Sequence, residues 1–188
     1  MKKRVFIIHG WGGGPEGACL PWLKTKLEEK GFEVVASQMP NTAVPIIKDW
    51  VNYISKLVGT PDEQTYFVGH SIGCQAIMRY LQTIDKKVGG ALFIAGWFML
   101  ENLESEDIEI AKPWVEKSTI NFEKLKRVSK NYVEIISDND PFGGFEENRK
   151  IFLEKLGAKV IILNNAGHIE DYELPTALEE LLKIARET

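Results

Sequence analysis

Short apolar runs alternate along the chain with longer segments of helical period. The runs are Val5–His9, Glu33–Ala36, Thr65–Val68, Ala91–Ala95, Tyr132–Ser137 and Lys159–Leu163. They are rich in Val, Ile and Phe and mostly lack in–out alternation, the pattern of strands covered on both faces. Helices are predicted between and after them, at Leu20–Lys30, Ile46–Val58, Ile72–Ile84, Phe122–Val128, Phe145–Leu156 and Leu174–Arg186. In the second helix, Ile47, Trp50, Val51, Ile54, Leu57 and Val58 follow i, i+3, i+4 spacing and form one apolar stripe. This alternation predicts an α/β fold of about six mostly parallel strands with helices on both faces.

The rhythm breaks from Trp97 to Asn121, where Glu101, Glu104, Glu106, Asp107 and Glu109 cluster. The stretch reads as a solvated connection or an acidic surface helix. Its functional alternative is a short flap over a pocket, since long excursions in compact domains are often lids. No repeat, low-complexity tract or Gly/Ser linker divides the chain, so residues 1–188 are read as one domain.

Composition narrows the function classes without naming one. Of 188 residues, 44% are hydrophobic and 27% charged, and the formal net charge is −4. That mild acidity argues against a dedicated nucleic-acid binder. The apolar run after the basic start is Val5–Ile8, short of the about 7–15 residues of a signal peptide and the about 20 of a membrane span. Cys19 and Cys74 form neither a disulfide framework nor a Cys-x-x-Cys metal pair. A cytoplasmic protein without membrane or nucleic-acid partners, and without metal or organic cofactor, is expected.

Gly69-His70-Ser71-Ile72-Gly73 is a G-x-S-x-G pentapeptide between a predicted buried strand and a predicted helix. A sharp strand-to-helix turn lifts a serine above the sheet edge, and flanking glycines permit packing where side chains would collide. The Ile72 N–H, at the helix start, is free to bind an oxyanion. A serine hydroxyl needs a base. His70 adjoins Ser71 and points elsewhere in such a turn, and His9 ends the first strand without obviously facing Ser71. His168 follows the last strand, where loops at the carboxyl ends of parallel strands converge, and is the candidate base. Asp138 and Asp140, after strand Tyr132–Ser137, both qualify by position as the orienting acid. The order Ser…Asp…His is that of one fold.

The loop His9-Gly10-Trp11-Gly12-Gly13-Gly14 offers the Trp11 N–H as a second oxyanion donor. Gly12 to Gly17 also satisfies G-x-G-x-x-G, but Pro15 interrupts it and the second strand ends in Ala36-Ser37-Gln38 without a carboxylate. A dinucleotide site is therefore not expected. Trp97, Phe98 and Phe142 sit at or just after strand ends and are candidate walls of an acyl pocket.

With these residues in hand, the sequence resembles the small α/β-hydrolases related to retinoblastoma-binding protein nine and their bacterial relatives. The resemblance spans most of the chain. It rests on the Gly-rich loop, Met39-Pro40-Asn41, the pentapeptide, Met78-Arg79-Tyr80, Lys112-Pro113-Trp114, Ser137 to Phe142, and Gly167-His168. It implies a minimal hydrolase without a large cap domain, whose acid is the Asp before the Pro, Asp140. Extra residues between Trp114 and Phe122, and Ile72 beside the nucleophile, depart from the pattern and bear on the pocket. The expected function is acyl transfer to water by Ser71, His168 and Asp140 on an ester-type small molecule. The alternative is a protein-binding module on a hydrolase scaffold.

Overall fold

The computed structural model describes residues 2–115 and 120–187. Its strands are β1 (Arg4–Ile8), β2 (Glu33–Ala36), β3 (Thr65–His70), β4 (Gly90–Ile94), β5 (Tyr132–Ser137) and β6 (Lys159–Leu163). All pair in parallel, in the order β2-β1-β3-β4-β5-β6, so the expected sheet is found with no antiparallel member among the described residues. The central strands β3, β4 and β5 are buried at every position, whereas the edge strands β2 and β6 are partly exposed. That difference explains why the central runs are mostly apolar without in–out alternation.

The helices are α1 (Leu20–Glu29), α2 (Ile47–Val58), α3 (Ile72–Leu81), α4 (Ser105–Val115), α5 (Phe122–Val128), α6 (Phe145–Lys150) and α7 (Pro175–Glu187). Phe6, Phe67 and Phe93 pack on one sheet face with Trp50 and Ile54 of α2, Ile77 and Tyr80 of α3, and Leu125 of α5. The alternate strand residues Val5, Ile7, Val68 and Leu92 pack on the other with Leu23 and Leu27 of α1 and Leu181 of α7. Among the described residues no helix is long and apolar enough to cross a membrane.

Beyond shifts of one or two residues at element ends, three features differ from the pattern-based reading. Helix α3 ends at Leu81 rather than Ile84, because the Thr83 N–H and hydroxyl both turn back to the Tyr80 carbonyl, at 2.9 and 2.7 Å. Helix α6 opens into a π-helical turn over Ile151–Leu156, closed by the Ala158 N–H on the Phe152 carbonyl at 2.9 Å. The acidic stretch contains α4, whose Ala111 and Trp114 are buried while Glu106 and Glu109 face solvent. Of the extra residues between Trp114 and Phe122, 116–119 lie outside the described residues. Nothing of domain size is inserted among the described residues.

The strand order places the site. From β1 the chain steps outward to β2 and then crosses back to β3 on the other side of β1. The carboxyl ends of β1 and β3 therefore diverge at a topological switch point, where open α/β sheets bind ligands. The glycine-rich loop leaves one of these ends and Ser71 leaves the other.

Candidate active site

Ser71 lies between the last residue of β3 and the first of α3, with φ 53° and ψ −123°. A non-glycine residue at positive φ carries strain of about 1–3 kcal/mol, held here by surrounding structure. The Ser71 N–H donates to the Ile94 carbonyl at 2.9 Å, and the Cys74 N–H closes on the Ser71 carbonyl at 3.0 Å. The two glycines of the pentapeptide are required sterically. A Cβ on Gly73 would stand 2.3 Å from the Ile8 carbonyl oxygen, and one on Gly69 would stand 2.7 Å from the Cys74 nitrogen. Both contacts are with backbone, which cannot swing aside.

Ser71 opens into a cavity of about 590 Å³ that His168, Trp11, Trp97 and Phe142 also line. His168 Nδ1 and Asp140 Oδ2 are 2.7 Å apart. The carboxylate only accepts, so Nδ1 carries the proton and Nε2 is left as the basic nitrogen. Asp140 Oδ1 accepts the Phe142 N–H at 3.0 Å, and the Phe142 ring stands edge-on to the imidazole at 4.8 Å. Both contacts hold the pair in orientation.

The loop before His168 is gripped by the residues just ahead of Asp140. Ser137 Oγ accepts the Ala166 N–H at 3.0 Å, Asp138 Oδ1 the Asn165 N–H at 2.8 Å, and Asn139 Oδ1 the Gly167 N–H at 2.8 Å. Asp138 thus bonds the neighbouring loop, while the turn bond to a residue two positions on belongs to Asp140. Beyond His168, Ile169 takes φ 53°, an outlier for a β-branched residue.

His70 holds this strained corner. Its Nε2 lies 3.4 and 3.3 Å from the His168 and Ile169 carbonyl oxygens, so Nε2 carries the proton and donates. Burial, and then the neighbouring His168, push the pKa of His70 down to about 4. His9 is also engaged structurally. Its Nε2 accepts the Met39 N–H at 2.9 Å, its Nδ1 donates to the Gly10 carbonyl at 2.7 Å, and burial lowers its pKa. These two tethers were not foreseen from the sequence; only two histidines at strand ends, without an obvious catalytic direction, hinted at them.

On the opposite wall, the Trp11 indole N–H donates to the Ala43 carbonyl at 2.9 Å, and the Gly12 N–H to the Thr42 carbonyl at 2.9 Å. These bonds fix the loop, and Trp11 lines the cavity. Ile72 is the first residue of α3, so its N–H has no intrahelical acceptor. Phe98 departs from the expected pocket wall. Its ring packs at 4.7 Å on Phe152 and 5.6 Å on Phe122 and is not among the cavity residues. Trp97 lines the cavity, while the Phe98 N–H is held by Asn148 Oδ1 at 2.7 Å and its ring turns to Phe122 and Phe152. Leu100, Leu103 and Asp107, from the acidic stretch, do line the cavity.

A model of the serine hydrolase family matches residues 5–184. YdeN of Bacillus subtilis (strain 168) is 29% identical over 181 residues, covering 95% of this chain and 92% of YdeN. The crystal structure of the ydeN gene product matches with TM-score 0.88 at 25% identity, over 97% of this chain and 98% of that one. Serine hydrolase RBBP9 of Rattus norvegicus is 25% identical over 181 residues, 95% of this chain and 86% of RBBP9. The parallel sheet with its strained serine turn is the architecture of the α/β-hydrolases. On the extent of these matches, the chain belongs to the serine hydrolase family.

Proposed function

We propose that the protein hydrolyses an ester-type bond of a small molecule through a Ser71–His168–Asp140 triad. The observation that carries this reading is the 2.7 Å His168–Asp140 pair in a cavity shared with the strained Ser71. In the first step His168 Nε2 takes the hydroxyl proton as Ser71 Oγ bonds to the substrate carbonyl carbon. Asp140 then stabilises the imidazolium. The carbonyl oxygen, now negative, is received by the Trp11 and Ile72 N–H groups. Collapse expels the alcohol, which takes the proton from His168, and leaves an acyl-enzyme. Water, deprotonated by the same nitrogen, attacks the acyl carbon, and collapse releases the acid as Ser71 Oγ leaves and recovers the proton from His168.

Neither step calls on a metal or organic cofactor. Trp11, Trp97, Leu100, Leu103 and Phe142 give the cavity apolar walls suited to an acyl chain. Stopped-flow hydrolysis of p-nitrophenyl esters tests the reading. A burst of nitrophenol equal to the enzyme concentration is expected, and it should vanish in Ser71→Ala. Turnover that persists in Ser71→Ala, or a protein that hydrolyses no aryl ester, would reject it in favour of a binding module on a hydrolase scaffold.

A further inference from the structure

The Ser71 hydroxyl has a hydrogen-bond partner that the triad does not use. Trp97 Nε1 donates to Ser71 Oγ at 3.4 Å, and both residues are buried. We propose that Trp97 is a further catalytic residue, holding the nucleophilic oxygen through its indole N–H, and that Gln75 and Arg79 are positioning residues that set the indole. The proposal rests on Ser71 being the nucleophile.

The segment that carries Trp97 is held far more closely than a pocket wall requires. The Gly96 N–H donates to buried Glu134 at 2.9 Å. The Trp97 carbonyl accepts from Gln75 Nε2, and Gln75 Oε1 accepts in turn from the Arg79 guanidinium. Arg79 is itself fixed by a 2.7 Å bond to the Trp114 carbonyl and by the Trp114 ring, 5.4 Å from its guanidinium carbon. Asn148 takes the Phe98 and Met99 N–H groups at 2.7 and 2.8 Å and returns a bond to the Met99 carbonyl at 2.9 Å. Buried side chains from α3, β5 and α6 therefore fix this backbone residue by residue. A Leu could fill a wall without such a frame, whereas a donor aimed at one oxygen depends on it.

The indole nitrogen only donates, so Ser71 Oγ must meet it with a lone pair. The serine proton is then left for a different acceptor, and His168 Nε2, the imidazole nitrogen not bonded to Asp140, belongs to a side chain of the same cavity and is the base assigned to take it. During attack the proton passes to Nε2, and the pair it leaves on Oγ forms the bond to the carbonyl carbon. The carbonyl π pair moves to its oxygen. Trp97 keeps its own bond to Oγ throughout and stabilises the charge that gathers there before the new bond is complete.

Trp97→Phe removes the donor and keeps an aromatic wall. With p-nitrophenyl esters the rate of the nitrophenol burst, which reports attack by Ser71, should fall about tenfold, the scale of one hydrogen bond. The factor should be the same for acetyl and octanoyl esters, with the ester concentration that half-saturates the burst rate little changed, and phosphonylation by a fluorophosphonate should slow equally. Gln75→Leu should show the same pattern at smaller size. A wall residue behaves otherwise: its loss appears in the half-saturating concentration and grows with acyl length. In 15N-labelled protein, the indole resonance that is missing from Trp97→Phe should shift in Ser71→Ala. A loss graded with chain length, an unchanged burst rate, or an indole resonance that ignores Ser71→Ala would each overturn the proposal. Hydrolysis that survives Ser71→Ala would instead remove the reading on which it rests.

Discussion

Asn139 Oδ1 accepts the Gly167 N–H at 2.8 Å, tying the loop of the proposed acid to the loop of the proposed base. The same oxygen accepts the Ser137 hydroxyl at 2.8 Å, so strand end, acid loop and base loop share one bond network. We predict that Asn139→Ala costs about 1–2 kcal/mol in urea unfolding, as expected for lost side-chain hydrogen bonds in a partly exposed loop. It should also lower kcat about tenfold with little change in KM, because a slackened loop misplaces the imidazole. Unchanged kinetics in a destabilised variant would show that the tie serves the fold alone.

The two carboxylates should separate cleanly. Asp140→Asn should lose about ten-thousand-fold in kcat/KM, the scale known for a triad Asp→Asn change that leaves the histidine in the wrong tautomer. Asp138→Asn keeps an oxygen for the Asn165 N–H and should lose little. Both variants are checked by circular dichroism and then compared on one aryl ester. Equal losses, or a larger one at Asp138, would reject Asp140 as the acid.

Acid should destabilise the protein through His70. The unfolded side chain binds its proton near pH 6.5, the folded one only near 4, so between these values the unfolded state holds more protons. Stability is therefore complete above pH about 6.5 and falls as pH drops, by about 3 kcal/mol once pH 4 is reached. His70→Gln should remove that part of the slope, read as urea midpoints between pH 4 and 7. An identical pH slope in the variant would contradict the neutral, donating His70.

The elbow should tolerate no side chain at Gly73. A methyl there meets the Ile8 carbonyl oxygen at 2.3 Å, and the backbones of β1 and α3 would have to part. Gly73→Ala is predicted to lose several kcal/mol of stability, beyond the about 1–3 kcal/mol of ordinary overpacking. Thermal unfolding measures this directly, and a melting temperature within a few degrees of the parent would refute the close approach.

Much of this was legible in the sequence, for identifiable reasons. Strands buried on both faces read as continuous Val, Ile and Phe, and the stripe of α2 from Ile47 to Val58 follows helical period. Ser71 and His168 stood out because strand ends converge in a parallel sheet. What escaped depends on contacts between distant segments. Asp138 reaching Asn165, His70 holding Ile169, and Gln75 bonding the Trp97 carbonyl leave no local periodicity. Phe98 was misplaced because a loop's alternation cannot be phased without its anchors, here Asn148 on the Phe98 N–H. Position alone left Asp138 and Asp140 tied; the resemblance selected Asp140, and the 2.7 Å contact places Asp140 against His168.

Mass mapping of a fluorophosphonate adduct shows directly whether Ser71 is an activated nucleophile. Only a serine with a working base reacts at useful rate. One adduct per chain is expected, on Ser71, lost in Ser71→Ala and slowed at least a hundredfold in His168→Ala. His9→Ala, provided it stays folded, should still be labelled. An adduct on any other residue, or labelling undiminished in His168→Ala, would contradict the Ser71–His168 assignment.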